Sequence, residues 1–98
     1  MQKIICAAIR FTVKLDEDNT ESIVVAGPRH YDTVMHRVID AIDDAIWKKV
    51  VLAYQGFLDN RGTFLTRHEA FKVATKAKQI IKKSGNPDSK LLFSEDLY

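Results

Sequence analysis

The chain has a single cysteine, Cys6, so no internal disulfide can staple it and the fold rests on packing alone. Cys6 lies in an apolar strand pattern, where a buried, inert thiol is the expectation. No stretch approaches the ~20 apolar residues of a membrane span, and Met1-Gln2-Lys3 runs into a strand pattern and not a leader. A cytoplasmic protein without a membrane partner is the default expectation. Excess charge is also missing: 15 Lys and Arg against 13 Asp and Glu leave a net +2. That balance gives no reason to expect a nucleic-acid partner, although a local basic face remains compatible with it.

Catalytic furniture is equally scarce. There is no Gly-x-Ser-x-Gly turn to strain a nucleophile. His30, His36 and His68 have no cysteine or carboxylate at ligand spacing, so neither a metal nor a cofactor is expected. Glu95 and Asp96 are adjacent, and in an extended tail they point to opposite faces, a poor acid/base pair. Enzyme is therefore the weaker class, and binding the stronger one. Internal repeats and low-complexity segments are absent too.

What is present reads as one α+β domain over residues 1–98. Its 98 residues bury about two-thirds of the unfolded surface, so the core is thin and oligomerisation is a natural source of further burial. Ile5, Ala7, Ile9, Phe11, Val13 and Leu15 alternate with Arg10, Thr12 and Lys14, which predicts a strand with one buried face. Ile4, Cys6 and Ala8 make its first half apolar on both faces, as in a central or subunit-interface strand. A polar turn at 16–20 and a second strand at 22–26 complete an antiparallel hairpin.

From Asp32 the period changes to three and four. Val34, Val38, Ala41, Ile42, Ala45 and Ile46 predict the stripe of a helix capped by Asp32 or Thr33. Residues 47–52 fit either a continuation of that helix or a short strand. Gln55–Leu58 and Thr63–Leu65 flank the turn sequence Asp59-Asn60-Arg61-Gly62, a second hairpin. Thr66 with Glu69 forms a capping box for a second helix, with Ala70, Val73, Ala74, Ala77, Ile80 and Ile81 inward and a stop at Ser84-Gly85-Asn86-Pro87. The tail at 91–98 is too apolar to fray and is expected to dock, as a strand in the simplest case. The expected architecture is a small antiparallel sheet packed with two helices.

The unusual polar residues gather at junctions between these elements. An arginine at a helix N-terminus puts a cation beside unpaired backbone N–H groups, which together can hold an anion. Arg29 and His30 are either such a grip on phosphate oxygens or a pair that contacts Asp32 and packs. Arg67 opposes the dipole of its own helix by a few tenths of a kcal/mol, which makes sense if an anion sits before it. The bland alternative is an ion pair with Glu69 or Asp59. Thr66 is explained as a cap. Phe57, beside Gly56, can stack on a base, although core packing is the commoner fate of such a ring. Ser94, Glu95 and Asp96 offer acceptors to ribose hydroxyls, or anchor the tail to Arg29 or Arg67.

Read in order, Ala7-Ala8-Ile9-Arg10, Gly27-x-Arg29-His30, Gln55-Gly56-Phe57, Phe64-x-x-Arg67-x-x-Ala70 and Phe93-Ser94-Glu95-Asp96-Leu97 resemble a family of small phage proteins. That family includes the first-described Thoeris anti-defence proteins, sponges for the cyclic ADP-ribose signals of bacterial TIR-domain enzymes. The resemblance spans the whole chain. It implies an α+β subunit that forms dimers and then hexamers in the host cytoplasm, with ligands at subunit interfaces; release of intact ligand would mean sequestration and not hydrolysis. Some members take cyclic di- or trinucleotides in a separate pocket. The matching positions are Arg29, His30, Phe57, Thr66, Arg67 and 94–96; other members carry Asn or Asp where this chain has Thr66. The expected function is sequestration of a cyclic nucleotide signal by Arg29, His30, Gly56, Phe57, Thr66, Arg67, Ser94, Glu95 and Asp96. The alternatives are an interaction protein that uses Lys72, Lys76 and Lys83 against an acidic partner, and a small nucleotide hydrolase.

Overall fold

A computed structural model describes residues 1–81, 83 and 89–97. Four strands, β1 (Ile4–Lys14), β2 (Thr20–Gly27), β3 (Val50–Asp59) and β4 (Phe64–Thr66), form one antiparallel sheet in the order β2-β1-β3-β4. Both hairpins expected from the turn sequences are present. Helices α1 (Thr33–Asp40) and α2 (Asp44–Trp47) join β2 to β3, and α3 (Arg67–Lys76) follows β4 directly.

Register decides which side chains share a face. Ala7 pairs with Phe57, Ile9 with Val25 and Phe11 with Ile23, and Phe57 pairs in turn with Leu65. These residues meet Met35 of α1, Ala70 and Ala74 of α3, and Leu92 and Leu97 of the tail in one core. Both helices therefore pack on the same side, α1 against β2 and α3 against β3 and β4. Alanines on the inward stripe of α3 let its backbone approach the sheet closely. The other side carries Ala8, Arg10, Thr12 and Lys14 of β1, Val24 of β2, Leu52 and Tyr54 of β3, and Phe64 of β4.

Four expectations need correction. A register shift between Ile4 and Cys6 turns Ile4 into the core and leaves Ile5 about half exposed. The freed backbone of Ile4 is satisfied by one side chain: Ile4 N donates to Gln79 Oε1 and Gln79 Nε2 donates to Ile4 O, both at 2.8 Å. Helix α1 buries Met35, not Val34 and Val38, which stay about half exposed, and it stops at Asp40 so that Asp43 can cap α2. Trp47 ends α2, with its ring edge-on to Phe11 at 4.9 Å, and β3 begins at Val50.

Helix α3 ends at Lys76, short of Ile80 and Ile81, because Lys78 adopts a left-handed φ of 58°. The stop sequence 84–87 and Tyr98 lie outside the described residues. The tail docks as expected, but as a 3-10 turn at Ser94–Asp96 and not as a strand. Ile81 N donates to Asp96 O at 2.8 Å, and Leu92 N to Arg67 O at 3.0 Å.

Candidate functional site

The loop between β2 and α1 is organised by one carboxylate. Asp32 accepts from Met35 N, as the cap of α1, and from Arg29 N, both at 2.9 Å. These bonds hold its carboxyl below the usual range. Gly27 is needed beside it, since a Cβ there would stand 2.9 Å from Asp32 Oδ1 and from Met35 Cγ. Tyr31 takes a left-handed φ of 55°, a conformation that costs a β-carbon residue about 1 kcal/mol or more.

That turn projects His30 over the β1–β3 pair. His30 Nε2 donates to Gly56 O at 2.7 Å, and its ring meets Phe57 edge-on at 5.1 Å. Burial pulls the imidazole below its ordinary value of 6.5, with the Arg67 cation adding to it. The backbone of Gly56 and Ala8 and the charge of Glu95 pull the other way without prevailing.

Arg67 follows the N-cap Thr66 and folds back across the end of its own helix. Its Nη1 donates to Leu92 O at 2.8 Å and its Nη2 to Gln55 Oε1. The guanidinium stacks 4.7 Å from the Phe93 ring centroid and 6.0 Å from that of Phe57. Neither Glu69 nor Asp59 pairs with it: Glu69 is occupied by the capping box, where Thr66 N donates to its Oε1 at 3.0 Å. Burial lowers the Arg67 pKa while Glu95 and Asp96 raise it. Glu95 also lies 3.7 Å from Arg29 Nη1, and both of these side chains are about half exposed. Glu95 thus pairs with Arg29 while lying within electrostatic reach of Arg67, two arginines that sit 38 positions apart in the sequence.

Arg29, His30, Arg67 and Glu95 therefore converge above β3, between α1 on one side and α3 with the tail on the other. Ala53 and Gln55 share the face of Phe57 yet are exposed, so the covering layer is open over this stretch of β3. The remaining expected residues lie beneath or beside the cluster. Phe57 has no exposed surface and supports the His30 ring from the core. Ser94 and Asp96 are buried, and Thr66 is spent on its cap.

Gly56 is required on steric grounds: a Cβ would come within 2.1 Å of Leu65 O and 2.5 Å of Phe64 Cζ. Asp96 Oδ2 accepts from Lys83 Nζ at 3.1 Å and from Phe93 N at 3.0 Å, so Lys83 is engaged inside the tail and is absent from an outer lysine face. Gln55 and Phe93 enter the sequence reading only as members of the motifs Gln55-Gly56-Phe57 and Phe93-Ser94-Glu95-Asp96, and Lys83 only in an outer lysine face, none of them as a partner of these residues.

Two of the concavities among the described residues lie away from this cluster. One of about 470 Å³ is lined by Ile5, Cys6, Ala26, Gly27 and Pro28. Burial raises the Cys6 thiol, which is half-buried there. The other, about 490 Å³, is lined by His68, Phe71, Lys72, Thr75, Lys76 and Lys90 on the outer side of α3. Among the described residues no group of three or more His, Cys, Asp or Glu is placed to hold a metal ion. No helix among them is long and apolar enough to cross a membrane.

The family model of the phage T4 y16D protein matches residues 3–98. No curated protein and no solved structure matches the chain.

Proposed function

The chain belongs to the phage T4 y16D protein family, and from that premise we propose that it binds a cyclic nucleotide immune signal of the host and sequesters it uncleaved. Glycocyclic ADP-ribose is the first ligand to consider, and cyclic oligonucleotides are the second. The observation that carries the reading is the convergence of Arg29, His30 and Arg67 with Glu95 in the gap above β3. A pyrophosphate between the two guanidiniums takes the place of the Glu95 carboxylate on Arg29. Glu95, released, accepts from ribose hydroxyls, and the exposed side of the Phe93–Arg67 stack receives the base.

Arg67 is held in place before any ligand arrives by Leu92 O and Gln55, so little side-chain entropy remains to be lost. Such preorganisation is compatible with nanomolar affinity, about −12 kcal/mol. A homo-oligomer that closes the open side of the gap with a second subunit belongs to the same reading.

Isothermal titration with glycocyclic ADP-ribose, followed by heat denaturation and recovery of the ligand, tests this. Tight binding with unchanged ligand supports sequestration. Altered ligand moves the protein to the hydrolases, and silence with this ligand and with a cyclic dinucleotide panel ends the small-ligand reading. A second reading draws on the concavity on α3, where Lys72, Lys76 and Lys90 surround Phe71. It is an interaction protein for an acidic partner, and its binding survives loss of Arg29.

A further inference from the structure

The face of the sheet turned away from the helices has a composition of its own. Arg10 stands at its centre, paired in register with Val24 on one side and Tyr54 on the other. Its guanidinium carbon lies 4.7 Å from the ring centroid of Phe64 and 5.7 Å from that of Tyr54. Phe64 leans over β3 into the space that Gly56 leaves by lacking a Cβ. Tyr54 is 48% exposed and Val24 41%. Lys14 stands further along β1 on the same face. The paired positions of this face carry no Asp or Glu, in a chain that holds 13 of them. Glu69 reaches only its border, where the α3 capping box holds it within electrostatic reach of Arg10.

A half-exposed ring and a guanidinium stacked on a second ring, on a face without carboxylates, suit a partner that is both planar and anionic. Bases stack on aromatic rings and on guanidinium planes, and phosphates pair with the same cations. With strands about 4.8 Å apart, the width of the sheet offers room for two or three bases. A second copy of the chain fits less well, because a twofold axis at the centre of this face would set Arg10 against Arg10. We propose that the open face binds single-stranded nucleic acid, with Tyr54, Phe64 and Arg10 as the stacking platform and Lys14 as a phosphate contact. The small net charge argued against such a partner only because it averages over both faces.

Fluorescence anisotropy with labelled 12-nucleotide oligo-U and oligo-dT, and a duplex of equal length, tests the proposal on the full chain. The single strands are expected to bind more tightly than the duplex, and to weaken roughly five- to tenfold between 50 and 200 mM salt if two phosphates are contacted. Tyr54→Ala and Arg10→Gln are each expected to weaken binding by about tenfold or more. Arg37→Gln, on the exposed surface of α1 on the opposite side, leaves it unchanged. Thermal melting of each variant separates lost binding from lost fold. Binding that is absent with tens-of-micromolar protein, or that survives both open-face substitutions in folded variants, overturns the proposal. So does sedimentation showing a wild-type dimer that Tyr54→Ala dissociates without any oligonucleotide affinity, which assigns the face to a second copy.

Discussion

On its helix side the sheet buries Ala7, Ile9, Phe11 and Phe57, and its polar groups are locked: Asp96 by Lys83, Arg67 by Leu92 and Gln55, His30 by Gly56. On the other side the same strands present Arg10, Val24, Leu52 and Tyr54 to solvent, held mainly by stacking. One set of groups is preorganised around a gap and the other forms an open platform. Position relative to the core, not residue type, decides what an arginine here is for. Arg67 is fixed for one narrow task, whereas Arg10 is a surface to be covered. Substitutions on the first side should cost stability and binding together, and on the second binding alone.

Removing the buried carboxylate tests that difference most harshly. Asp96→Ala leaves the Lys83 ammonium in the tail with the Leu91 carbonyl but no carboxylate, and is expected to cost about 3 kcal/mol. Urea denaturation measures it, and Tyr54→Ala is the control, expected to stay within about 1 kcal/mol of wild type. Gly56→Ala strikes both faces at once, since a methyl group meets backbone at Leu65 and the ring of Phe64; a loss of about 1–3 kcal/mol or more is expected. Arg67→Lys keeps the charge but cannot serve Leu92 O and Gln55 together with the Phe93 stack. A loss of about 1–2 kcal/mol is expected in melting, with nucleotide affinity down by at least tenfold in calorimetry.

A pH series probes the covered side alone. The folded His30 has a lowered pKa, so between its folded and unfolded values the unfolded chain binds more protons. The stability it contributes is present above about 6.5 and is lost as pH falls through the depressed folded value. Urea midpoints at pH 7.5 and 5.5 should differ, and His30→Gln should shrink that difference. The carboxylates of Asp32 and Glu69, also lowered, act in a separate window below their ordinary values of 3.8 and 4.5. The smallest effect is expected at Tyr31: Tyr31→Gly accepts the φ of 55° without strain and should change stability by no more than about 1 kcal/mol.

Local signals in the sequence were reliable where local chemistry decides. The Thr66–Glu69 capping box, the Asp32 cap and the two turn sequences each fix a backbone conformation through neighbours, and each appears where it was expected. Periodicity failed where a distant group intervenes. Ile4 and Ile5 exchange faces at a bulge whose backbone is satisfied by Gln79, 75 positions away. Val34 and Val38 look like a stripe, but the residue α1 buries is Met35, whose N–H donates to the Asp32 cap. The site was legible as a set of junction residues and not as an arrangement. Nothing in the order of residues says that Glu95 reaches Arg29, or that Phe57 lies under His30 instead of facing a ligand.

The most direct test of the division between the two faces is a ¹⁵N-resolved NMR titration of the wild-type chain with glycocyclic ADP-ribose. Shifts are expected at Arg29, His30, Gln55, Arg67 and Glu95, with Arg10, Val24 and Tyr54 unmoved. Shifts centred on the open face, or none anywhere at saturating ligand, would contradict it.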